Sequence, residues 1–505
     1  MNIRMVVLGP GLMILMLFLS AWTPVVKIST HEANSEWPNR NPHMGIDAEG
    51  NTYVVWEGYT VRDSVVFWTK VDAEGGPGTV MKLSDGEHIG GSKDYLVDIT
   101  VDRQGNSYVT WTRSLNNDSD VYWVKINSSG ERSDILNISC LDEYATNNNR
   151  SSQIATDNEG NSYVVWQGFD GERDSGGNAD IYWVKIDDRG EIGDTVKVST
   201  HKDNISYGDI NPQITVDRQG NSYVAWQGCD KDDCWKEPGD FEIYWARIGN
   251  SGTTSEVLKV SVFTDSIDIR AMTPQLAVDG SGTSYVVWSG LDGKNYDIYW
   301  VRIDANGILK DAQRIMNYPA SMYDDYNPRT AIDNSQALHI VWENFNGNDY
   351  EVYLVKIESH ELPGKVQKIS NYAESDLYDD YYPDIAVNAE RESCIVWSRY
   401  NQKSGRQSEM TVFWTKIDSS GNQEDFEKIS SSQFSKRINT QPQIAVDKAG
   451  KSYVIWIGED DSGVEQILLA VSIRSSVSPT AALIVIVLCA LAIMVLRVFY
   501  AERKE

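Results

Sequence analysis

The chain has 505 residues, 73 acidic against 45 basic side chains and a formal net charge of −28. That balance excludes a nucleic-acid partner, because binding a polyanion takes clustered Lys and Arg to release counterions. It suits divalent cations or basic partners, and five cysteines are too few for a disulfide framework.

At the N-terminus, Met5 to Ala21 is an almost unbroken apolar run behind Arg4. Residues 1–24 therefore read as a secretory leader. Leu19 and Ala21 make a poor small-x-small cleavage site, so an uncleaved N-terminal anchor is the other reading.

Residues 25–474 repeat one phrase eight times, as in IDAEGNTYVVW ending at Trp56, VDRQGNSYVAW ending at Trp226 and VDKAGKSYVIW ending at Trp456. The other copies end at Trp111, Trp166, Trp288, Trp342 and Trp397, with spacings of 54 to 62 residues. A period of this size marks a solenoid, propeller or array. Around Trp226 the unit reads NPQITVD, RQG, NSYVAWQG, a loop, FEIYWARI, a turn and VLKVS. These are β-branched and aromatic runs bounded by Gly, Asn and Asp, which predicts four short antiparallel strands, a to d in chain order. The D-x-x-G-N link between a and b is a tight turn, with Asp starting it and Gly taking a positive φ. Units six and seven lack that glycine (NSQA, AERE) and are expected to turn differently. The turn aspartates read as turn formers rather than metal ligands, since Asn388 replaces one of them.

YVVW is apolar on both faces, so the sheets are expected to stack against neighbouring sheets. The strand-b tryptophans and those of strand c (Trp68, Trp123, Trp183, Trp245, Trp300, Trp414) would fill the space between them. Unit eight stops at its strand c, while an orphan strand d, Val25 to Thr30, precedes the first strand a. Pairing the two would close the ring and leave no free sheet edge.

Beyond the repeats, Thr480 to Leu496 is wholly apolar. About 20 such residues cross a bilayer as a helix, so 475–500 reads as a transmembrane helix. Residues 501–505, with Arg503 and Lys504, would form the cytoplasmic tail. This places a single-pass protein at the cell membrane, its ectodomain outside.

The D-x-x-G-N-x-Y-V-x-W pattern resembles the β-propeller repeats of bacterial and archaeal cell-surface proteins. That resemblance implies an all-β fold, an eight-bladed β-propeller of four-stranded antiparallel blades, and names no ligand. Sialidases carry a similar box, S-x-D-x-G-x-x-W, but here two residues separate Asp from Gly, and their arginine triad has no recognisable context. Quinone-dependent dehydrogenases have eight blades with an Asp…Gly…Trp repeat. Here the tryptophan lies nine residues after Asp47 rather than eight, and no adjacent-cysteine pair occurs.

Antiparallel order puts the d–a and b–c loops on one face, where they vary from unit to unit, and variable loops on a rigid scaffold are where binding resides. Trp37 and Trp235 fall there outside the core repeat and are candidate sugar or partner platforms, or packing groups over a neighbouring loop. Two twin loops carry Tyr323, Asp324, Asp325 and Tyr326, and Tyr378, Asp379, Asp380 and Tyr381. Asp324, Asp325, Asp379 and Asp380 are candidate calcium ligands, since hard cations take several oxygens; with the tyrosines they could equally clamp glycan hydroxyls, or simply be a duplicated loop. Cys229 and Cys234 flank one loop and are a candidate disulfide. Sequons at Asn117, Asn127, Asn137, Asn149 and Asn204 are candidate glycosylation sites. Six scattered histidines, no G-x-S-x-G, no P-loop and no H-E-x-x-H leave catalysis without a motif. The sequence thus favours a non-catalytic, membrane-anchored module binding an extracellular glycan, protein or envelope component. A sialidase-like glycoside-acting enzyme and a purely structural envelope protein are the alternatives.

Overall fold

The computed structural model describes residues 6–7, 13–14, 22–30, 37–59, 63–84, 92–116, 118–140, 147–170, 178–199, 208–229, 241–262, 270–291, 294–315, 323–358, 362–371, 378–402, 409–430 and 438–473. Most of the variable d–a and b–c loops, Trp235, Asn117 and Asn204, and the apolar segment 475–500 lie outside them. Among the described residues no helix is long and apolar enough to cross a membrane.

The chain divides into two compact units. One comprises Met1–Thr23 with Ser472–Glu505; in it Val6–Val7 pairs antiparallel with Met13–Ile14, and Trp22 bridges Ser472. The other, Pro24–Val471, holds the repeats.

The repeats are all-β, built of four-stranded antiparallel sheets. Around Trp226 strand a is Ile210–Val216, b is Ser222–Gly228, c is Glu242–Ile248 and d is Leu258–Lys259. Strand b is buried along its whole length, as an apolar run on both faces requires. Six sheets have four strands, and an eight-stranded one contains the first two units, joined by a single parallel bridge from Ser64 to Lys93. The a–b turn is held by its aspartate: Asp217 accepts the amides of Gln219 and Asn221 on Oδ1, and the Asn221 amide group and Tyr223 hydroxyl on Oδ2. Gly220 sits at φ 76° where the turn needs a left-handed residue.

The two turns without glycine are not built differently, as their sequences suggested. Gln336 (φ 68°) and Arg391 (φ 64°) occupy the same left-handed position and donate the same backbone hydrogen bonds, to Asp333 and Asn388. The hairpin register fixes the turn geometry, and these side chains accept the strain.

Hydrophobic clusters form between consecutive units. Trp68, Val97 and Trp111 share one cluster, and Trp183 and Trp226 share another. Indoles of strands b and c dominate these clusters because each removes a large apolar area from water. The last and first units also share one, uniting Ile455, Ile467 and Leu469 with Val54, Trp56 and Ile28. The N-terminal strand supplies Ile28, and its Val26 and Lys27 pair with Leu469 and Leu468.

Candidate binding site at the inner strands

Strand a carries the same irregularity in every unit. Asn41, Leu96, Ser151, Asn211, Thr273, Asn327, Tyr382 and Gln441 all adopt left-handed φ between 48° and 56°. Each sits in a β-bulge where the register shifts against strand b, as between Arg40 and His43 or Ile210 and Gln213. In six units the next residue is proline (Pro42, Pro212, Pro274, Pro328, Pro383, Pro442), which gives up the amide that a bulge leaves unpaired. Bulges re-aim side chains. Here the residue two positions on, at His43, Gln153, Gln213, Gln275, Arg329, Asp384 and Gln443, is turned into one common cavity of about 690 Å³. All eight units contribute to its wall, the second through Leu96 and Val97. The volume lies within the range of about 300–1,000 Å³ usual for small-molecule sites.

The acids at this cavity are engaged by the units around them. His43 Nδ1 lies 3.4 Å from Asp98 Oδ1, while Asp98 Oδ2 accepts the Ile154 amide of the next unit at 3.0 Å. Asp384 repeats the device, accepting the Ile444 amide at 2.9 Å. Burial pushes the Asp384 carboxyl up, against the lowering effect of Arg329, of two backbone amides and of His43. Glu57 and Glu343 staple neighbouring units. Glu57 accepts from Asn41 at 3.0 Å and from the Leu96 amide at 2.7 Å, as well as from the Tyr59 hydroxyl. Glu343 accepts from Asn327 at 3.0 Å and from the Tyr382 amide at 2.7 Å. Burial raises both carboxyls above the usual range, and these hydrogen bonds pull the other way. Both groups are engaged in holding bulges. At the equivalent position Gln167 makes the same inter-unit contact, accepting the Asn211 amide at 3.2 Å.

The twin-loop residues are placed otherwise than the calcium reading requires. Asp325 accepts from Trp342 Nε1 at 2.9 Å and from Asn344 at 2.8 Å, inside its own sheet. Asp380 accepts from Trp397 Nε1 at 2.8 Å and is held by both Nε and Nη2 of Arg399, at 2.8 and 2.9 Å. These are copies of a latch seen at Asn39–Trp56, Asn149–Trp166, Asp209–Trp226 and Asn439–Trp456. Asp324 accepts the Tyr296 amide and Asp379 the Tyr350 amide, each from the preceding unit. The four carboxylates are thus drawn into four separate hydrogen-bond sets, and among the described residues no three His, Cys, Asp or Glu converge as a metal-ligand group. Twinning came from the latch position, which recurs in most units.

Tyr323 and Tyr382 are exposed; Tyr326, Tyr378 and Tyr381 are half-buried. Of these only Tyr382, which the sequence reading passed over, lines the cavity. Trp37 is half-buried and outside that lining. Cys229 is disulfide-bonded and its partner lies outside the described residues, as Cys234 does; Cys140 and Cys394 are free. Asn149 is fully buried as a latch residue and offers no amide to a glycan, which corrects that sequon. Asn127 and Asn137 are half-buried, their amide groups donating to Glu131 and Asp120. The sequence signal for the cavity residues was available: the residue after the strand-a proline. A bulge has no signature in hydrophobic periodicity, so periodicity does not single that residue out.

One further constellation imitates an active site. His339 lies 2.8 Å from Ser393 Oγ and 3.3 Å from Asp333 Oδ2, the order of a hydrolase triad. All three are buried, at 2%, 2% and 5% exposure, so no substrate reaches the hydroxyl. His339 stands where other units place a tyrosine against the turn aspartate, as Tyr53 does with Asp47. In those units a strand-c tryptophan lies beside that tyrosine, and Trp68 and Trp183 donate to the serine of the next unit. Here Leu354 replaces the tryptophan and cannot donate. The histidine serves Ser393 instead. It is a repair of the core.

No protein-family profile and no curated relative matches the chain. Similar solved structures include a polysaccharide lyase, an ulvan lyase bound to -[GlcA(1-4)Rha3S]-, with 14% identity over 73% of this chain and 90% of that one, at a TM-score of 0.45. The NanB sialidase of Streptococcus pneumoniae is another, with 9% identity over 90% of this chain and 71% of that one, at a TM-score of 0.36. A third is an alpha-L-arabinanase of Penicillium chrysogenum, with 10% identity over 53% of this chain and 94% of that one, at a TM-score of 0.35.

Proposed function

We propose that the chain is an eight-bladed propeller, closed by its N-terminal strand and anchored in the cell membrane with the propeller outside. In this reading it binds a hydroxyl-rich ligand, an extracellular glycan, at the inner-strand cavity without transforming it. The observation that carries this is the cavity wall: six of the eight units contribute Asn or Gln to it, and its carboxylates Glu57, Glu343 and Asp384 already accept from backbone amides. Amide side chains both donate and accept, which suits neutral hydroxyls. A glycoside-acting enzyme is the alternative. It needs an acid or base free to exchange a proton with substrate, whereas Glu57 and Glu343 are taken up by bulge amides and neighbouring side chains. A sialidase-like site would also need three converging arginines, and Arg329 is the one arginine among the described lining residues.

The test is a glycan array probed with the full-length protein in detergent, beside the Gln213→Ala/Gln275→Ala variant. A glycan bound by the wild type, and at least tenfold weaker with the variant at unchanged Tm, supports the reading. Binding equal in both proteins, or turnover of a bound glycan, overturns it.

A further inference from the structure

A row of tyrosines runs from the cavity mouth outward across three units. Tyr382, exposed at the wall of the cavity, lies 6.1 Å from Tyr381, which lies 4.8 Å from Tyr350. Phe345 packs against Tyr350 at 5.1 Å, and Tyr326 packs against Tyr296 at 5.1 Å. Tyr326 stands on the strand beside that of Phe345, whose amide donates to the Asp324 carbonyl at 2.8 Å, and this joins the two groups. The interplanar angles lie between 41° and 44°, so each ring is tilted against the next.

Acids line the row. Asp324 accepts the Tyr296 amide at 2.9 Å, and Asp379 accepts the Tyr350 amide at 3.1 Å. Burial and these carboxylates push the Tyr326 and Tyr381 phenols well above their ordinary range. Each of these hydroxyls is hydrogen-bonded to its own carboxylate, Tyr326 to Asp324 and Tyr381 to Asp379. An aromatic ring with a polar tip presents an apolar body and a hydrogen-bonding end together. That pairing suits a pyranose, whose C–H face packs on a ring while its hydroxyls meet the tips.

We infer that this tyrosine row is an extended subsite, along which a neutral polysaccharide leaves the central cavity over units seven, six and five. The inference rests on the cavity taking a hydroxyl-rich ligand, and adds that the ligand is a polymer. Continuity makes the case for that occupant, since Tyr382 belongs to both the cavity wall and the row. Charge makes the case for neutrality: Asp324 and Asp379 stand along the row, and an anionic chain would meet them.

The experiment is calorimetric titration of the full-length protein with neutral gluco-, manno- and xylo-oligosaccharides of two and six units. For at least one series, the hexasaccharide should bind tenfold or more tightly than the disaccharide. The Tyr350→Ala/Tyr381→Ala variant should lose that increment and keep the disaccharide affinity. Tyr350→Phe, which preserves the packing face, should keep most of it. If the double variant retains the increment, or if affinity does not rise with length, the row is not a subsite and the cavity reading survives alone. If the wild type binds none of the six probes, the cavity reading itself falls and takes the row with it. A double variant that fails to fold is replaced by Tyr326→Ala, read by the same length increment.

Discussion

Replacing Asp380 by Asn isolates what its buried carboxylate does. The amide keeps an oxygen for Trp397 Nε1, as Asn39, Asn149 and Asn439 show for their own tryptophans. It cannot hold both arms of Arg399. Asp380 and Arg399 are 1% and 4% exposed, so the guanidinium is left charged and uncompensated. Breaking a buried pair from one side costs about 3–5 kcal/mol. The rings of Tyr378, Phe413 and Phe426, 4.8 to 5.5 Å from Arg399, return a part, about 1 kcal/mol. The net expectation is a loss of about 3 kcal/mol. In a second background, Arg399→Gly, Asp380→Asn recreates the Asn439 and Gly458 pairing of the last unit and should cost less than about 1 kcal/mol. The assay is urea unfolding followed by tryptophan fluorescence on the four proteins of the cycle. Equal costs in the two backgrounds, or a loss below about 1 kcal/mol for the single variant, would refute the argument.

Glycine at Gln336 or Arg391 should raise stability by about 1 kcal/mol each, because both side chains hold a left-handed φ that glycine adopts without strain; an unchanged or lower urea midpoint contradicts this. His339→Ala should lower stability by about 2 kcal/mol by orphaning Asp333 and Ser393, while glycan binding stays as in the wild type; a loss of binding at unchanged stability would restore a functional role. Burial pushes the Glu351 carboxyl up to about 7 from 4.5, against Lys368 and Ser370. A raised acid stabilises fully below its unfolded value and loses that contribution as pH rises through its folded one, so stability should fall between pH 4.5 and about 7 by at most about 3 kcal/mol. Glu351→Gln should flatten that slope, and a slope unchanged in the variant excludes Glu351 as its source. Calcium should leave the melting temperature unshifted, since Asp325 and Asp380 already serve buried donors; a rise abolished by Asp324→Asn/Asp379→Asn would show that those two carboxylates retain a cation.

What the sequence made legible is what recurs with a fixed physical cause. YVVW, apolar on both faces, forces a strand buried on both faces, and strand b of the Trp226 unit is buried throughout. Asp217 and Gly220 dictate a turn, and the hydrogen bonds of that turn run where the residue types require. The spare strand at Val26 and Lys27 pairs with the unit that lacks one. Asp324, Asp325, Asp379 and Asp380 misled because composition counts carboxylates without saying what each accepts. Asp325 and Asp380 stand 17 residues before Trp342 and Trp397, the latch spacing that Asn39 keeps before Trp56, and that spacing was visible in the chain.

The cavity was illegible for a different reason. Its side chains face inward because each strand a is broken by a left-handed residue, and no pattern of period two or 3.6 records a break. A left-handed residue at Leu96 or Tyr382 is unfavourable in isolation and persists only where its surroundings impose it. Here the imposition is visible: Glu57 accepts the Leu96 amide and Glu343 the Tyr382 amide, each from the unit before. A strain repeated in all eight strands is not an accident of one loop. In seven of them it turns the residue two positions on into one cavity, and there the sequence varies among His43, Gln153, Arg329 and Asp384. Uniform scaffold and diverse inner ring are what a binding site built on repeats requires. The strongest pointer to function in this protein is therefore the place where its repeat stops being regular in the same way eight times.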